Sequence, residues 1–412
     1  MRQKPVKGML DYLPAEAEIR DYLQSAIIET YKNSGFEHII TPIMEDAENL
    51  DKSDGGENLN LIFNVLKRGE KLNRALESGK VKELSDMGLR YDLTLPLCRY
   101  FANNRAELSL PFRAIQTDRV YRAENPQKGR MREFIQCDID IIGSADPECE
   151  IELILTTAKA LKKTGIGDFT VKINDRGLLR GLLTSLGIAE DRLDRACITL
   201  DKLDKIGIDG VCGELSAEGF DDDTVSRFRE FFSKECVTLA DVSAATGNSE
   251  AAARLEYITD AVEKISAGGI KLEFDVTLVR GQGYYTGTVF EVRSNEFSGA
   301  IAGGGRYDNL IGRFIGENVP AVGFSIGFER IYSILRDRGN FVVPNSREKL
   351  VVMYDPENFA DAEIEAEKLR DKYDVAMCRK TKKMGKQLNR YAQRGYTAFL
   401  NYGQSDGIQP LS

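Results

Sequence analysis

The chain's 412 residues exceed what one ordinary core holds together, and 42% hydrophobic with 29% charged residues is the balance of a soluble globular protein, so two or three domains are expected. No apolar run is long enough to span a bilayer and no apolar core follows the basic residues of MRQKPVKGMLDYLPAEAEIR, so neither a membrane partner nor an export signal is expected and a cytoplasmic location is. A net charge of -9 sets the average surface against nucleic acid, seven cysteines without a CxxC pair argue against a zinc knuckle or disulfide framework, and the single histidine, His38, would have to run any imidazole chemistry alone.

The first predicted element is a helix over Ala15–Lys32, where Ile19, Leu23, Ile27 and Tyr31 recur every four residues behind Pro14 and Gly35 stops the pattern. Phe36–Met44 reads as β-rich, but Pro42 keeps it out of the middle of a fully paired sheet, and His38 reads as a partly exposed strand residue. Residues 60–66 (NLIFNVL), Gly88–Leu95 and Phe112–Val120 are strand candidates, and Arg132–Ile142 alternates polar residues with Phe134, Cys137, Ile139 and Ile141. Pro147–Thr164 turns helical along Ile151, Leu155, Ala158 and Leu161, followed by a strand over Asp168–Ile173 and a helix over Arg176–Leu186. The acidic stretch 188–267 is helix-like throughout and is expected to form an insertion domain. Strands return at Lys271–Val279 and Gly287–Arg293, Gly303-Gly304-Gly305 is predicted to be a turn, and VPAVGFSIGFERIYSIL is a strand running into a helix across Gly323–Gly327. After residues 341–345, LVVMYD, a helix over Ala360–Lys372, DVAMC, a basic helix and TAFLNY alternate as in a small α/β layer structure.

Four stretches hold chemistry-bearing residues at informative spacings. LVRGQGYYTG (278–287) sets Arg280 before a Gly-x-Gly turn and then Tyr284 and Tyr285; it lacks the dinucleotide-binding spacing, and no Gly-x-x-x-x-Gly-Lys-Ser/Thr occurs elsewhere. In VYRAENPQKGRMREFIQCDID, the two-residue strand period brings Arg122, Gln136 and Asp140 to one face of a hairpin, a pattern that equally suits a solvated charged face. LRYDLTLP puts Asp92 and Thr94 two apart and therefore on one strand face, where a carboxylate and a hydroxyl suit an ammonium group, though an ordinary exposed strand face shows the same pattern. GFERI places Arg330 near a helix N-terminus, where a cation implies an anionic partner. Basic residues cluster at Arg113–Arg132 and Arg379–Arg394.

Taken in order, GFEHIITPIMED, YRAE with its loop and REFIQCDIDIIG, and AVGFSIGFERI resemble the three motifs of class II aminoacyl-tRNA synthetases, and LRYDLTLP and LVRGQGYYTGTVFEV resemble the further signatures of the histidyl-tRNA synthetase family. The resemblance runs from KGMLDYLP to the C-terminal segment. It implies an α+β fold: an antiparallel sheet flanked by helices in a catalytic domain over 1–340, interrupted by the helical insertion at about 188–267, and a small anticodon-binding-like α/β domain over 346–412. It implies the activity of a histidine–tRNA ligase acting on L-histidine, ATP and tRNA(His), with magnesium accompanying the phosphates and no magnesium ligand named.

The resemblance also carries roles onto residues. Arg122 matches the arginine on the α-phosphate and the attacking carboxylate, Glu124 sits toward the adenine, Arg280 steadies the α-phosphate, Arg330 meets the far phosphates and the adenine face, and Arg130 is a further phosphate contact. Asp92, Thr94 and Gln136 match positions holding the substrate's α-ammonium. Asp140 and Tyr285 match those meeting the imidazole nitrogens, with Tyr284 alongside. Gln127, Lys382, Lys383, Lys386 and Arg390 are expected toward tRNA. A homodimer is expected, with residues 35–46 presenting Ile39, Ile40, Pro42 and Ile43 to the partner.

Two departures from the family pattern stand out. Gln282-Gly283 replaces a Leu-Asp pair, removing a carboxylate that would orient Arg280, and the C-terminal domain ends at GQSDGIQPLS, short of the family's final strand and helix. A regulatory paralogue, the histidine-sensing subunit of ATP phosphoribosyltransferase, is the alternative; retention of Arg122, Arg280 and Arg330 weighs toward the enzyme. Another class II synthetase, for proline, glycine or threonine, would lack the pair Asp140 and Tyr285.

Overall fold

The computed structural model describes residues 3–51, 60–127, 129–234, 236–279, 283–339, 341–344, 346–404 and 406–411. The chain divides into two compact units, Met1–Asp11 with Arg20–Asn340 and Tyr12–Ile19 with Phe341–Ser412. Among the described residues, the first unit carries an eight-stranded sheet in the order Glu37–His38, Phe112–Tyr121, Glu133–Ile142, Ala321–Gly327, Ala300–Arg306, Thr288–Arg293, Thr170–Asp175, Lys271–Phe274. The expected antiparallel pairing holds through the six central strands, and the outermost pairing at each edge is parallel. His38 lies on the exposed two-residue edge strand.

Alternation decides which side of the sheet is dry. In the 133–142 strand, Ile135, Cys137, Ile139 and Ile141 are buried on one face, where the helices Glu148–Lys163 and Phe328–Arg338 pack. Gln136, Asp138 and Asp140 take the other face. The predicted helices 15–32, 147–164 and 176–186 appear as Pro14–Asn33, Glu148–Lys163 and Arg176–Ser185. Within 188–267, helices span Leu193–Leu200, Leu203–Ala217, Asp222–Phe232, Leu239–Thr246 and Ser249–Ser266. Three of them start where polar residues satisfy free backbone N–H groups: Asp221, Thr238 in a capping box with Asp241, and Asn248.

Several predicted boundaries shift. The β-rich stretch 36–44 yields strands only at Glu37–His38 and Met44–Asp46, the latter in a three-stranded sheet with Ser85–Leu89 and Phe63–Leu66. The strand predicted over Gly88–Leu95 stops at Leu89, and a helix runs over Thr94–Asn104. Its apolar LTLPLC run reads equally as a strand, but the Asp92 carboxylate accepts the Leu95 N–H at 3.2 Å and Pro96 falls in the first turn, where a missing N–H costs nothing. A further helix, Gly69–Ser78, lies where the sequence pattern predicts no element. Gly303-Gly304-Gly305, predicted as a turn, lies within the 300–306 strand.

In the second unit, a four-stranded sheet has the order Tyr373–Arg379, Glu348–Tyr354, Ala398–Asn401, Ile408–Pro410, with the last pairing antiparallel and the others parallel. Leu350 and Val352 cluster with Ala362 and Ala366 of helix Phe359–Leu369, and Val351 and Met353 with Leu388 of helix Met384–Ala392, so this central strand is apolar on both faces. No described helix is long and apolar enough to cross a membrane.

Candidate functional site

A cavity of about 410 Å³ opens over the polar face of the 133–142 strand. Cross-strand register makes its floor: Gln136, Asp138 and Asp140 stand opposite Gly327, Ser325 and Gly323 of the neighbouring strand. A methyl group on Gly323 would collide with Asp140 Oδ1, and one on Gly304 would overlap the Gly323 carbonyl and lie 2.8 Å from Phe324 Cα. The glycine run is therefore a cleared strand surface, left without side chains so that carboxylates and ligand fill the volume.

Three carboxylates are buried there. Asp140 accepts the Tyr307 hydroxyl at 2.6 Å, and burial pushes its carboxyl up to about 7 against that bond's opposing effect. Burial raises Asp92 to about 6, although the Leu95 N–H and the Arg122 charge act the other way. Asp138 also lies above the usual carboxylate range, through burial first and then Asp140. The second oxygen of Asp92, Oδ2, is buried with no hydrogen-bond partner among the described residues. Such an arrangement favours a ligand that brings positive charge and N–H donors.

Arg122 faces this acidic floor. It follows the 112–121 strand, its Nε donates to the Tyr91 carbonyl at 2.9 Å, its Nη2 lies 3.5 Å from Gln136 Oε1, and its guanidinium sits 4.9 Å from the Phe134 ring centroid. Toward the mouth, Arg130 pairs with Glu124 at 3.4 Å and is half exposed. Arg330, in the first turn of helix Phe328–Arg338, donates to the Ala300 carbonyl and lies 5.9 Å from the Phe297 ring centroid. Its neighbour Glu329 is held by Arg20 at 2.6 Å. Tyr284 and Tyr285 wall the cavity with ring centroids 4.9 Å apart, and the Tyr284 hydroxyl is 3.5 Å from that of Thr94.

Of the residues singled out in the sequence, Asp92, Thr94, Arg122, Glu124, Arg130, Gln136, Asp140, Tyr284, Tyr285 and Arg330 all line this one cavity. Asp92 and Thr94 reach it from a turn and a helix start, not from alternate positions of a strand. Arg280 and Gln282 lie outside the described residues. Gln127 bridges to Arg130 through reciprocal backbone hydrogen bonds. Lys382, Lys383, Lys386 and Arg390 are exposed in the second unit, the first two preceding the helix that carries the others. Of the residues expected at a dimer surface, Ile40 is 79% exposed and Ile43 38%, but Ile39 is buried, because alternation turns it into the core. Asp138, Ser325 and Tyr307 also line the cavity, and the sequence motifs do not single them out. Asp138 was legible as the middle of the alternating QCDID; Tyr307 was hidden by reading the preceding glycines as a turn.

Residues 8–331 match the family model described as histidyl-tRNA synthetase. A protein of Leifsonia xyli subsp. xyli named histidine–tRNA ligase is 44% identical over 85% of this chain and 84% of its own length. A crystal structure of histidyl-tRNA synthetase from Nostoc sp. PCC 7120 superposes with a TM-score of 0.80 at 28% identity, covering 97% of this chain and 91% of its own. A Bacillus halodurans structure described as an ATP phosphoribosyltransferase regulatory subunit/histidyl-tRNA synthetase has a TM-score of 0.77 at 22% identity, covering 95% of this chain and 97% of its own, a likeness of fold alone.

Proposed function

The chain belongs to the histidyl-tRNA synthetase family, and on that premise we propose that its cavity joins L-histidine to ATP as histidyl-adenylate and passes the histidyl group to the 3′ end of tRNA(His). This is the activity of a histidine–tRNA ligase, an aminoacyl-tRNA synthetase. The observation that carries it is the pairing, in one cavity, of three buried carboxylates with Arg122: one side suits a substrate with an ammonium and an imidazole, the other the phosphate it attacks. The regulatory paralogue is less supported, because the relative at 44% identity is named a ligase and the structure bearing the regulatory description is 22% identical.

In this proposal the histidine carboxylate is itself the nucleophile, so alignment and charge neutralisation do most of the catalytic work. Arg122 holds the attacking carboxylate against the α-phosphate. Arg330 and Arg130 take the other phosphates, Arg330 covers the adenine and Glu124 reaches it. Arg280 joins them at the α-phosphate. Asp92, whose Oδ2 has no hydrogen-bond partner among the described residues, holds the α-ammonium with Thr94 and Gln136, and Asp140 and Tyr285 read the imidazole. Magnesium is expected to accompany the nucleotide's phosphates.

The unit containing residues 20–340 is the catalytic domain in this scheme. The unit containing 346–412 is the tRNA-reading one, through Lys382, Lys383, Lys386 and Arg390, with Gln127 approaching the acceptor end. A cytoplasmic homodimer fits seven unpaired cysteines and the exposed Ile40 and Ile43. Amino-acid-dependent exchange of ATP and pyrophosphate without tRNA tests the central claim. Exchange with histidine alone among the twenty amino acids is expected; histidine binding without any exchange would transfer the chain to the regulatory class.

A further inference from the structure

Resting on the reading of Gln136 as an acceptor for the substrate's ammonium, we propose that Asp138 is a positioning residue that fixes which end of the Gln136 amide faces the histidine. A glutamine is useful to an ammonium only through its carbonyl oxygen, and the two ends of an amide are nearly the same shape, so something must choose between them.

The surroundings make that choice by donor and acceptor chemistry alone. Gln136 and Asp138 are two apart on one strand, and Ser325 stands directly across from Asp138. The Gln136 amide has both Asp138 oxygens at 3.4 Å and Ser325 Oγ at 3.3 Å on one side, and Arg122 Nη2 at 3.5 Å on the other. A guanidinium can only donate, so the end toward Arg122 is the carbonyl; a carboxylate accepts, so the end toward Asp138 is the NH2. The Ser325 hydroxyl also bonds Asp138, which leaves its lone pairs to the amide NH2. These contacts are long and set direction more than strength. With both carboxylate oxygens equidistant, one accepts even if the other carries a proton. Asp138 lines the cavity but is 4% exposed, and both its oxygens face the Gln136 amide; on this proposal its effect on histidine passes through Gln136.

Exchange kinetics on the full chain separate the possibilities. Asp138→Asn keeps the shape but offers Gln136 an NH2 as readily as an oxygen, so the amide loses the acceptor-only side of its orientation and is held by the long Arg122 and Ser325 contacts alone. A rise of about tenfold in the KM for histidine is expected, the size of a lost hydrogen bond to a charged group, with the KM for ATP unchanged. In a Gln136→Ala background, Asp138→Asn should add nothing, since it acts only through that amide. Ser325→Ala, a milder change on the same link, should give a smaller rise in the KM for histidine. Additive losses in the double variant, equal rises in both KM values, or no effect of Asp138→Asn where Gln136→Ala raises the KM for histidine would each overturn the proposal. If Gln136→Ala itself left that KM unchanged, the ammonium reading beneath it would fail instead.

Discussion

Asp140 illustrates how much depends on one atom's surroundings. Its carboxyl lies near pH 7 because the cavity is dry, and ionised it is a stronger acceptor for an imidazole N–H. Raised above its ordinary 3.8, it makes a contribution to folding that is fully present below that value and is lost as pH rises toward about 7. Asp140→Asn removes this loss. Its stability should therefore exceed that of the parent by more at pH 8 than at pH 5, read as a larger rise in melting temperature; the difference between the two pH values is at most about 3 kcal/mol, about two pH units at roughly 1.4 kcal/mol each, while histidine-dependent exchange falls by orders of magnitude. For the parent, the KM for histidine should rise as pH drops from 8 to 5.5, because Asp92 and Asp140 take up protons across that range. Tyr285→Phe deletes one hydroxyl and nothing else. About a tenfold or greater rise in the KM for histidine with ATP binding held within about twofold is expected, and equal losses in both would make Tyr285 a packing residue instead of an imidazole reader.

The pair of strands 300–306 and 321–327 shows why element identity matters more than local composition. Glycine is a poor strand former, and three in a row read as a turn. Here both neighbours of the 300–306 strand are in place, and the missing side chains are what let Asp140 lie across Gly323. Gly323→Ala should abolish histidine-dependent exchange, since the methyl group occupies the space of Asp140 Oδ1, and should lower stability by about 1–3 kcal/mol, an overpacking cost measurable by urea unfolding. The same element is anchored from behind. Arg306 donates to both oxygens of the buried Glu150 at 2.6 and 2.8 Å, and Arg254 adds a third bond at 2.8 Å, tying helix Glu148–Lys163 to the strand that leads into Tyr307. Breaking one side of such a pair leaves a buried charge without its partner.

Across the whole molecule, charge is distributed by module. Residues 188–267 hold eighteen acidic and nine basic side chains, an excess equal to the chain's entire net charge of -9, so the remainder is neutral. Among the described basic residues of 113–132, Arg113, Arg119 and Arg130 pair with Glu152, Glu133 and Glu124. Lys382, Lys383, Lys386 and Arg390 are exposed and are the clearer electrostatic footprint for a polyanion. Reversing Lys382, Lys383 and Lys386 to Glu should raise the KM for tRNA at least about tenfold, most at low salt, and leave pyrophosphate exchange unchanged. For assembly, light scattering at micromolar concentration should report a dimer, and Ile40→Glu should shift it toward monomer, given that this 79% exposed side chain lies on the expected contact segment.

Periodicity determined the long helices, the hairpin of 112–121 with 133–142, the run of helices within 188–267 and the alternating α/β unit, because each buries one face whose spacing is written in the chain. The same alternation placed Gln136 and Asp140 together, and motif order carried the family. Tertiary structure alone decided that LTLPLC is a helix and GGG a strand, since a short apolar or glycine run has no period of its own and takes its form from its neighbours. It also decided which polar atoms share one dry volume. Asp92, Asp140 and Tyr307 come from three separate stretches of chain, and their common burial is the largest influence on the proton affinities of the two carboxylates.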